Sequence, residues 1–369
     1  MPKNIIICCD GTGNEFGNRN SNVVKLFSVL HLDPATQVGY YDPGLGTMGA
    51  QNAFTRTGKW VTKAMGLAFG YGLMSNLEDA YKYLMQTSAP GDKLFLFGFS
   101  RGDYTARALA SILKMFGLLP PHNAQLIPYI LRVFKNCDDE KEKIATHFKK
   151  VFSLECKPHF VGVWDTVSSV GWITDPLTLR YSANNPDIHI GRHAISIDER
   201  RCFFRQNLWG KAVPGQDYKQ VWFAGVHSDV GGGYLEEESG LAKISLEWMI
   251  VEAVRAGLIV NREAVAEVLG RTPGSQYAPP DPAAPIHNSL KGAWLFLEYL
   301  PRRHWSFTKK REEWIIPGRR RRSIREDAVL HQSVLDRLKI AAAGYRPANL
   351  PEKYGVEPWS SLNTNAQGS

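Results

Sequence analysis

The chain of 369 residues lacks any apolar run that approaches the ~20 residues needed to span a bilayer, so its sequence predicts no transmembrane helix. Its sequence also predicts no secretory signal peptide, because the apolar stretch Ile5 to Cys9 is too short for the central segment of such a peptide. No small-residue cleavage site follows that stretch. We therefore expect the product to be cytoplasmic when synthesised, with export by a signal-independent machine left open.

Cysteine is scarce, and the cysteines present have no spacing typical of a metal or disulfide site. The chain has five, an odd number, and no two of them form a Cys-x-x-Cys motif. This argues against a disulfide framework and against a zinc site as the basis of the fold. Buried free thiols are the expected state of Cys8, Cys9, Cys137, Cys156 and Cys202.

Positive charge exceeds negative charge, and much of the excess lies in one aromatic segment. Lysine and arginine total 44 against 36 for aspartate and glutamate, which gives a net charge of +8. The segment 290–324 interleaves Trp, Phe and Tyr with basic residues and includes the run Arg319–Arg322. Such a segment suits peripheral contact with an anionic membrane, where rings lie at headgroup depth and cations pair with phosphate. A hairpin packed over the core and a plain solvated loop are the structural alternatives, and we expect no nucleic-acid partner.

Residues 94–107 contain a Gly-x-Ser-x-Gly motif in the setting that a nucleophile elbow requires. An apolar run leads into Gly98-Phe99-Ser100-Arg101-Gly102, and a helix-forming segment follows from Tyr104 to Met115. A sharp turn from a buried strand into a helix exposes the serine hydroxyl at the carboxyl edge of a sheet, and flanking glycines avoid collisions there. The pattern predicts Ser100 as a catalytic nucleophile. Its alternative is a glycine-bounded turn in which the serine only caps the helix.

Two later apolar runs end in residues that complete a catalytic constellation. Phe160 to Trp164 ends in Asp165, and Gln220 to Val226 ends in His227 beside a triple glycine. The chain order serine, aspartate, histidine is that of the α/β-hydrolase triad. In such a triad the imidazole takes the serine proton, and the carboxylate fixes the imidazole tautomer and stabilises its charged form. We therefore predict Ser100 as nucleophile, Asp165 as acid and His227 as base.

The first apolar run, Ile5 to Cys9, ends in the polar, glycine-rich turn Asp10 to Asn14. Polar turns at the carboxyl ends of strands are where α/β proteins place ligand groups. Asp10 is predicted to support the site by ordering this loop or a metal, and the alternative is a tight turn that satisfies its own amides. A tetrahedral oxyanion needs hydrogen-bond donors. The predicted donors are the backbone amides of Arg101, Gly11, Thr12 and Gly13.

Other residues could fill the roles of acid and base. His193 is an alternative base, although the stretch Ile188 to Arg201 predicts a helix for it and not a strand end. Asp229 could replace Asp165 as the acid. Its position two residues after His227 is better suited to bracing the loop, so we keep both His193 and Asp229 as supporting residues.

Two other classes of function are open. A cluster of acidic and histidine side chains could hold a hard metal ion in a metal-dependent hydrolase. The residues that would form it are Asp10, Asp165, His227 and Asp229. The chain could instead be a non-catalytic binder of anionic lipid or nucleic acid through the basic aromatic segment, in which case binding would be salt-sensitive.

Four motifs in order carry a resemblance to a known family. They are Cys9 to Asn14, Gly98 to Gly102 followed by Tyr104 to Arg107, Gly162 to Val167, and His227 to Tyr234. In these motifs the sequence resembles the domain family DUF2235, which is similar to the catalytic domain of type VI secretion phospholipase effectors (Tle1-like). The resemblance covers most of residues 4–351.

The resemblance implies an α/β-hydrolase fold and serine-dependent hydrolysis of carboxylic esters, with phospholipid acyl esters as the best-understood substrates. It supports Ser100, Asp165 and His227 in the roles given above. It also implies a lipid-like ester as the substrate and type VI-like export, and we expect no cofactor and no metal. One departure is Asp103, where the family commonly has alanine. We expect this carboxylate to face solvent from the first helical turn.

The complete pattern predicts an α/β-hydrolase-like fold with a mostly parallel sheet flanked by helices, helical insertions and a C-terminal cap or hairpin. We predict a catalytic core over residues 1–270 with a helical insertion at about 120–157. A C-terminal extension over 271–351 is predicted to pack on this core, followed by a loose tail over 352–369. The glycine-rich stretch 42–76 is predicted as a flap above the site or as a plain crossover, and the spacing of its apolar residues from Trp60 to Ala68 predicts that part of it is helical. A further helix is predicted over Leu73 to Met85.

Overall fold

In the computed structural model, strands and helices alternate over residues 4–116, and consecutive helices or consecutive strands occur further along the chain. The structure describes residues 2–11, 17–44, 58–135, 137–167, 171–172, 175–176, 179–202, 204–292, 294–295, 298–299, 302–306 and 311–362. Its strands are β1 (Asn4–Cys9), β2 (Gln37–Asp42), β3 (Lys93–Phe99), β4 (Pro158–Trp164), β5 (Gly171–Trp172), β6 (Asp175–Pro176), β7 (Ile190–Ser196), β8 (Asp217–Phe223), β9 (Arg302–Ser306), β10 (Arg311–Ile315), β11 (Val329–His331) and β12 (Gly355–Glu357). Its α-helices are α1 (Asn22–Ser28), α2 (Gly58–Thr87), α3 (Arg101–Phe116), α4 (Ile127–Lys135), α5 (Asp139–Phe152), α6 (His227–Gly231), α7 (Gly240–Arg255), α8 (Arg262–Val268) and α9 (Gln332–Lys339).

Eight of the strands form one sheet in which each described pairing is parallel. The order across this sheet is β2-β1-β3-β4-β7-β8-β11-β12. The predicted α/β fold with a mostly parallel sheet is therefore confirmed. Its cause in the sequence is the set of short apolar runs, because parallel strands are covered by helices on both faces and must be apolar on both. Every residue of β1 is buried, as this rule requires.

Alternate residues of the central strands face opposite layers of helices. In β1, Ile5 and Ile7 belong to a core cluster shared with α2 to α5, whereas Ile6 and Cys8 belong to a second cluster shared with α1, α7 and α8. This division is the period-two alternation of a strand. Adjacent Cys8 and Cys9 accordingly face opposite layers. All five cysteines are free thiols, and Cys8, Cys9 and Cys202 are buried as predicted. The prediction of burial is wrong for Cys137 and Cys156, which are partly exposed because they lie in the loops that flank α5.

The sheet changes winding direction between β1 and β3, since β2 lies on one side of β1 and β3 on the other. In open α/β sheets such a switch point leaves a crevice at the carboxyl ends of the strands. Asp10 and Ser100 directly follow β1 and β3. Asp165 directly follows β4, and His227 follows β8 after a short turn. The topology therefore brings all four residues to one edge of the sheet.

The C-terminal part of the chain adds strands to the same sheet. β11 pairs with β8, and β12 pairs with β11. β9 and β10 form an antiparallel hairpin, which agrees with the predicted C-terminal hairpin. Helices α4 and α5 lie within the stretch that we predict as an insertion. The domain boundaries at residues 270 and 351 stay predictions.

Two helix predictions differ from the structure. The stretch Ile188 to Arg201 was expected to hold a helix, but it contains strand β7, hydrogen-bonded between β4 and β8. Pairing on both sides and burial on both faces override the weak local preference of these residues. Two helical segments expected within 60–85 form the single helix α2, and residues 45–57 of the predicted flap lie outside the described residues.

No helix in the described ranges is both long and apolar enough to cross a membrane.

The guanidinium of Arg192 lies buried on β7 and allows a test of stability. Its Nε donates to Glu252 of α7 at 2.6 Å, and both side chains are buried. Glu252 also pairs at 2.6 Å with Arg255, whose side chain is 56% exposed. Removing Arg192 leaves the buried Glu252 with only the more exposed Arg255 and Lys219 as cationic partners, so we expect Arg192→Met to lower the free energy of unfolding by about 3 kcal/mol. Arg255→Met is the matched control and should cost less than about 1 kcal/mol. Urea denaturation measures both, and equal losses would contradict this assignment.

Candidate active site

Ser100 occupies a sharp turn between β3 and α3. Its backbone has φ of 58° and ψ of −117°, which is a strained conformation for a residue with a side chain. Such strain costs about 1–3 kcal/mol and is concentrated at functional sites. Helix α3 begins at the next residue, yet the Ser100 side chain makes no capping hydrogen bond to it. The structure therefore does not support the alternative in which this serine only caps the helix.

Gly98 and Gly102 allow three segments of backbone to meet around Ser100. A β-carbon on Gly98 would lie 2.4 Å from the Cα of Asp103, and one on Gly102 would lie 2.1 Å from the carbonyl oxygen of Cys9. Neither distance is compatible with a side chain. The strand β3, the first turn of α3 and the end of β1 thus pack backbone against backbone, which is the geometry of a nucleophile elbow.

A buried hydrogen bond joins Asp165 and His227. Asp165 is fully buried with φ of 47°, and His227 is the first residue of α6. The Asp165 Oδ2 and His227 Nδ1 atoms are 2.6 Å apart. The other ring nitrogen, Nε2, is buried and has no hydrogen-bond partner among the described residues. A carboxylate on Nδ1 favours the tautomer in which Nε2 carries the lone pair, and that nitrogen can accept a proton.

Two aromatic rings pack against the imidazole of His227. The ring of Phe99, the residue before Ser100, has its centroid 4.7 Å from that of His227. The ring of Phe204 meets the imidazole edge-on at 4.8 Å. Burial lowers the pKa of His227 below its ordinary value of 6.5, although the hydrogen bond to Asp165 opposes this shift. The imidazole is therefore neutral at pH 7, as a general base must be.

The guanidinium of Arg322, a residue that the sequence did not single out, contacts both oxygens of Asp165. Arg322 is only 6% exposed, and its Nη1 and Nη2 lie 2.5 and 3.0 Å from Oδ1 and Oδ2 of the aspartate. Burial alone would raise the pKa of Asp165. The charges of Arg322 and His227 outweigh burial and hold that pKa well below its ordinary value. The carboxylate is therefore ionised although it has no contact with water.

The burial of Arg322 corrects the prediction for the run Arg319–Arg322, which was expected to be a solvated loop or a membrane contact. The first three arginines of the run are exposed, but the fourth is buried against Asp165. Nothing in a run of identical residues distinguishes one member from the next. The only available signal was indirect, since a buried aspartate requires a cation or several donors.

Glu199 braces the turn that carries His227. Its carboxylate accepts hydrogen bonds from the backbone amide of His227 at 3.2 Å and from Nη2 of Arg201 at 2.9 Å. Burial would raise the pKa of Glu199, but the contacts with Arg201 outweigh it and lower that pKa to about 2. Arg201 in turn lies 3.5 Å above the ring of Phe204. Glu199 thus fixes the backbone of the candidate base, and Asp165 fixes its ring.

The carboxylate of Asp10 orders the loop that follows β1. Its Oδ2 accepts hydrogen bonds from the hydroxyls of Ser21 and Tyr41 at 2.6 and 2.8 Å. Its Oδ1 accepts the backbone amide of Gly11 at 2.6 Å. Ser21 is also the N-cap of α1, so Asp10 connects the ends of β1 and β2 to the start of this helix.

The predicted oxyanion hole is described only in part. The amide of Gly11 is engaged by Asp10, whereas Arg101 is the first residue of α3 and lies at the positive end of the helix dipole. Thr12 and Gly13 lie outside the described residues. Their role as oxyanion donors stays a prediction.

Asp103 faces the protein interior, so the expectation that it faces solvent is wrong. Its side chain is fully buried, because the first turn of α3 packs directly on Gly98 and leaves this face of the helix no access to water. Burial raises the pKa of Asp103 to about 7, although the charge of Arg107 opposes the shift. The first turn of α3 therefore carries a buried carboxyl group three residues after Ser100.

The alternative base, His193, lies in a different hydrogen-bond network. It is buried on β7, and its Nε2 accepts the backbone amide of Thr166 at 3.1 Å. Burial lowers the pKa of His193 to about 3, so this imidazole stays neutral over the physiological range. With Nε2 engaged in this way, His193 supports the turn after Asp165.

Asp229, the alternative acid, braces the turn before the candidate base. Its Oδ2 accepts the backbone amide of Val226 at 2.9 Å. Its Oδ1 lies 2.6 Å from Nδ1 of His287, a residue that we did not select from the sequence. Asp229 therefore acts on the loops around His227 and not on its ring.

The side chains do not form the cluster that the metal-binding alternative requires. Across the described ranges, no three or more His, Cys, Asp or Glu side chains are grouped so that they could hold a metal ion. The carboxylates of Asp10 and Asp229 contact Tyr41 and His287, whereas that of Asp165 contacts His227.

Comparison with known proteins finds one family and a distant curated relative. The family model described as "T6SS, Phospholipase effector Tle1-like, catalytic domain" matches residues 3–252. An uncharacterized protein of Saccharomyces cerevisiae is 34% identical over 220 residues, which cover 55% of this chain and 32% of the yeast protein. The chain thus spans about a third of the length of that relative.

Two solved structures resemble this chain at low scores. A crystal structure of an uncharacterized protein from Pseudomonas aeruginosa is 20% identical, with a TM-score of 0.41, and covers 72% of this chain and 47% of that one. A structure of the Tle1 effector bound to the VgrG spike from the type 6 secretion system is 18% identical, with a TM-score of 0.39, and covers 65% of this chain and 52% of that one. This chain therefore spans about half of each.

The close packing of backbone around Gly102 leaves no room for a side chain at this position. We expect Gly102→Ala to lower the free energy of unfolding by about 2–3 kcal/mol, because the added methyl group would overlap the carbonyl oxygen of Cys9. Gly355→Ala in β12 is the matched control, since a β-carbon there has its nearest contact at 3.4 Å and should change stability by less than about 1 kcal/mol. Urea unfolding compares the two, and a Gly102→Ala variant as stable as the control would show that the turn is looser than described.

Proposed function

The chain belongs to the family of Tle1-like phospholipase effector catalytic domains, and from this membership we propose that it is a serine hydrolase that cleaves acyl esters of phospholipids or similar lipids. One observation carries the proposal. A strained serine turn lies at the same sheet edge as an aspartate–histidine pair whose Nε2 has no partner among the described residues. These are the parts that convert a weakly nucleophilic hydroxyl into one that attacks an ester at neutral pH.

In the proposed reaction, Oγ of Ser100 attacks the ester carbonyl carbon while Nε2 of His227 takes the hydroxyl proton. The tetrahedral intermediate then collapses, the bond to the alcohol oxygen breaks, and His227 returns the proton to the leaving alcohol. Water attacks the acyl-enzyme with His227 again as base, which releases the carboxylic acid and restores Ser100. Asp165 keeps its charge throughout and stabilises the imidazolium. The proposed reaction steps involve no cofactor, because the imidazole of His227 carries each proton.

The proposal extends to how the chain reaches its substrate. The matching family model is described by phospholipase effectors of type VI secretion, so we propose export through such a system. Export that persists after the type VI apparatus of the host has been deleted would refute this route.

A surface of exposed aromatic and basic residues suits contact with an anionic bilayer. Tyr299, Trp314 and Ile316 are 54%, 63% and 54% exposed, and Arg319 and Arg320 are exposed beside them. The guanidinium of Arg319 lies 5.7 Å from the ring centroid of Tyr299. Rings at headgroup depth together with cations facing phosphate are typical of membrane-binding surfaces. We call these five residues the lipid-facing surface.

The segment that carries the lipid-facing surface also reaches the candidate base through two rings. The ring of Trp294 meets that of Phe204 at 5.3 Å, and Phe204 contacts the imidazole of His227. We propose that a bilayer bound by this surface brings lipid esters close to Ser100. Lipid binding and catalysis are then two parts of one function.

Ser100 is expected to be the residue that reacts with a fluorophosphonate probe. Wild type should be labelled and should hydrolyse both a soluble short-chain ester and dispersed phospholipid, whereas Ser100→Ala should lose labelling and at least about 10³-fold of the hydrolysis rate. His227→Ala should lose a similar factor because the serine then has no base. In-gel fluorescence and initial ester-hydrolysis rates measure these effects.

The exposed Ser28 provides the control for this experiment, and Ser28→Ala should be labelled like wild type. A wild type that neither labels nor hydrolyses any ester would end the proposal of a serine hydrolase. Loss of activity in Ser100→Ala together with full activity in His227→Ala would overturn only the assignment of the base.

The lipid-facing surface should determine binding to anionic vesicles. We expect the double variant Trp314→Ser with Arg320→Gln to bind vesicles of phosphatidylglycerol and phosphatidylcholine about 10-fold more weakly, since one basic residue alone contributes about 1 kcal/mol. Co-sedimentation with vesicles measures the change. Arg325→Gln removes an exposed arginine outside this surface and should bind like wild type. Equal binding by all three proteins would show that the bilayer contacts another part of the molecule.

A further inference from the structure

Arg322 reaches the proposed site from the C-terminal part of the chain. We infer that this residue positions the acid of the triad by holding Asp165 in the orientation and charge state that His227 requires. The inference rests on the proposed function, because it assigns Arg322 a role in the reaction of Ser100. Arg322 acts through Asp165 and takes no direct part in bond making, so it is a positioning residue.

The guanidinium of Arg322 donates to both oxygens of Asp165 and thereby fixes the plane of the carboxylate. Oδ1 accepts the backbone amide of Ser196 at 2.8 Å and Nη1 of Arg322 at 2.5 Å. Oδ2 accepts Nδ1 of His227 at 2.6 Å and Nη2 of Arg322 at 3.0 Å. A guanidinium that contacts both oxygens fixes their plane, which a single point charge does not do. The direction of Oδ2, and with it the position of the imidazole, follows from that plane.

The guanidinium of Arg322 is itself held in place. Nη1 also donates to the hydroxyl and the carbonyl of Ser196 at 2.7 and 3.0 Å, and Nη2 donates to the carbonyl of Phe204. The carbonyl of Arg322 accepts Nδ2 of Asn349 at 3.1 Å, and the same amide donates to the carbonyl of Ile197. Both ends of the arginine are thereby anchored to the carboxyl end of β7.

Arg322 is the cation that balances the charge of Asp165. Among the other charged and titratable groups near the pair of Asp165 and His227, Glu199 is bound to Arg201, and Asp103, whose pKa burial raises to about 7, lies near Arg107. A further neighbour, His193, is held neutral by its low pKa. Removing the charge of Arg322 would therefore leave the negative charge of Asp165 in excess in a buried space.

This excess charge would impair the proposed reaction in either of two ways. If Asp165 took up a proton, it could no longer stabilise the imidazolium. If it stayed ionised, its uncompensated charge would stabilise the protonated imidazole and raise the pKa of His227. In both cases the fraction of molecules with an ionised aspartate and a neutral imidazole falls at mildly acidic pH. Arg322 thus extends the reactive form of the triad to lower pH.

The test compares kcat, KM and pH dependence on a soluble short-chain ester for wild type, Arg322→Gln and Arg322→Lys. Arg322→Gln should lower kcat about 10- to 100-fold with KM changed less than about two-fold, since it disturbs orientation and charge but not ester binding. The acid limb of its kcat profile should move to higher pH. Arg322→Lys restores the charge without the two-pronged contact, so its acid limb should return toward that of wild type while kcat recovers only in part.

The matched control is Arg325→Gln, which removes an exposed arginine three residues after Arg322 and should keep the wild-type kcat and pH profile. A second check uses Asp165→Asn, in which the charge that Arg322 compensates is absent. Adding Arg322→Gln to that variant should lower kcat less than about two-fold further, because the two residues act through one contact. A full additional loss would place the action of Arg322 elsewhere and overturn the inference.

A purely structural role gives a different result. In that case Arg322→Gln would lower the midpoint of urea unfolding but keep the wild-type kcat per folded molecule and the wild-type acid limb, which would overturn the inference. If Arg322→Gln does not fold, the kcat of Arg322→Lys is measured instead, and an unchanged kcat in that variant also overturns the inference.

Fluorophosphonate labelling of wild type separates the proposed function from the inferred role of Arg322. Absence of labelling at Ser100 defeats the proposed function, whereas normal labelling with an unaltered Arg322→Gln variant defeats only the role of Arg322.

Discussion

The carboxylate of Asp165 is a charge without access to water, and the edge of the sheet is arranged around it. Its donors come from three separate parts of the chain, namely Ser196 at the end of β7, His227 after β8 and Arg322 beyond the β9–β10 hairpin. A buried ion that loses its partners costs several kcal/mol, so these segments have to meet at the end of β4 if Asp165 is to stay ionised. The ionised state of the proposed acid therefore depends on the correct folding of this edge of the sheet.

The features that were predictable from the sequence are those encoded in short local patterns. Strands β1, β3 and β4 and the second half of β8 are apolar runs, and the residues that follow such runs lie at the carboxyl edge of the sheet. This is why the sequence alone was enough to select Ser100, Asp165 and His227 together. The glycines beside Ser100 strengthened the prediction, since Gly98 and Gly102 are needed only where backbones approach closely.

The features that were missed depend on contacts between distant segments. Arg322 and Asp165 are 157 positions apart, and three exposed arginines precede Arg322 in an identical run, so local sequence carries no sign of its burial. Asp103 was misplaced for a related reason. An acidic residue in the first turn of a helix normally gains from the dipole while facing water, but here the missing side chain of Gly98 lets that turn pack against the sheet and buries the carboxyl group.

The C-terminal part of the chain joins two aspects of the proposed function that are separable in principle. The segment from Trp294 to Arg322 carries the lipid-facing surface, and at its end it supplies the cation that compensates Asp165. Trp294 also supports Phe204, whose ring contacts the imidazole and whose carbonyl accepts a hydrogen bond from Arg322. Loss of this segment would therefore do more than remove a membrane contact. It would leave Ser100 and His227 in place beside a buried carboxylate with no cation, and such a carboxylate gains more by taking up a proton than by stabilising an imidazolium.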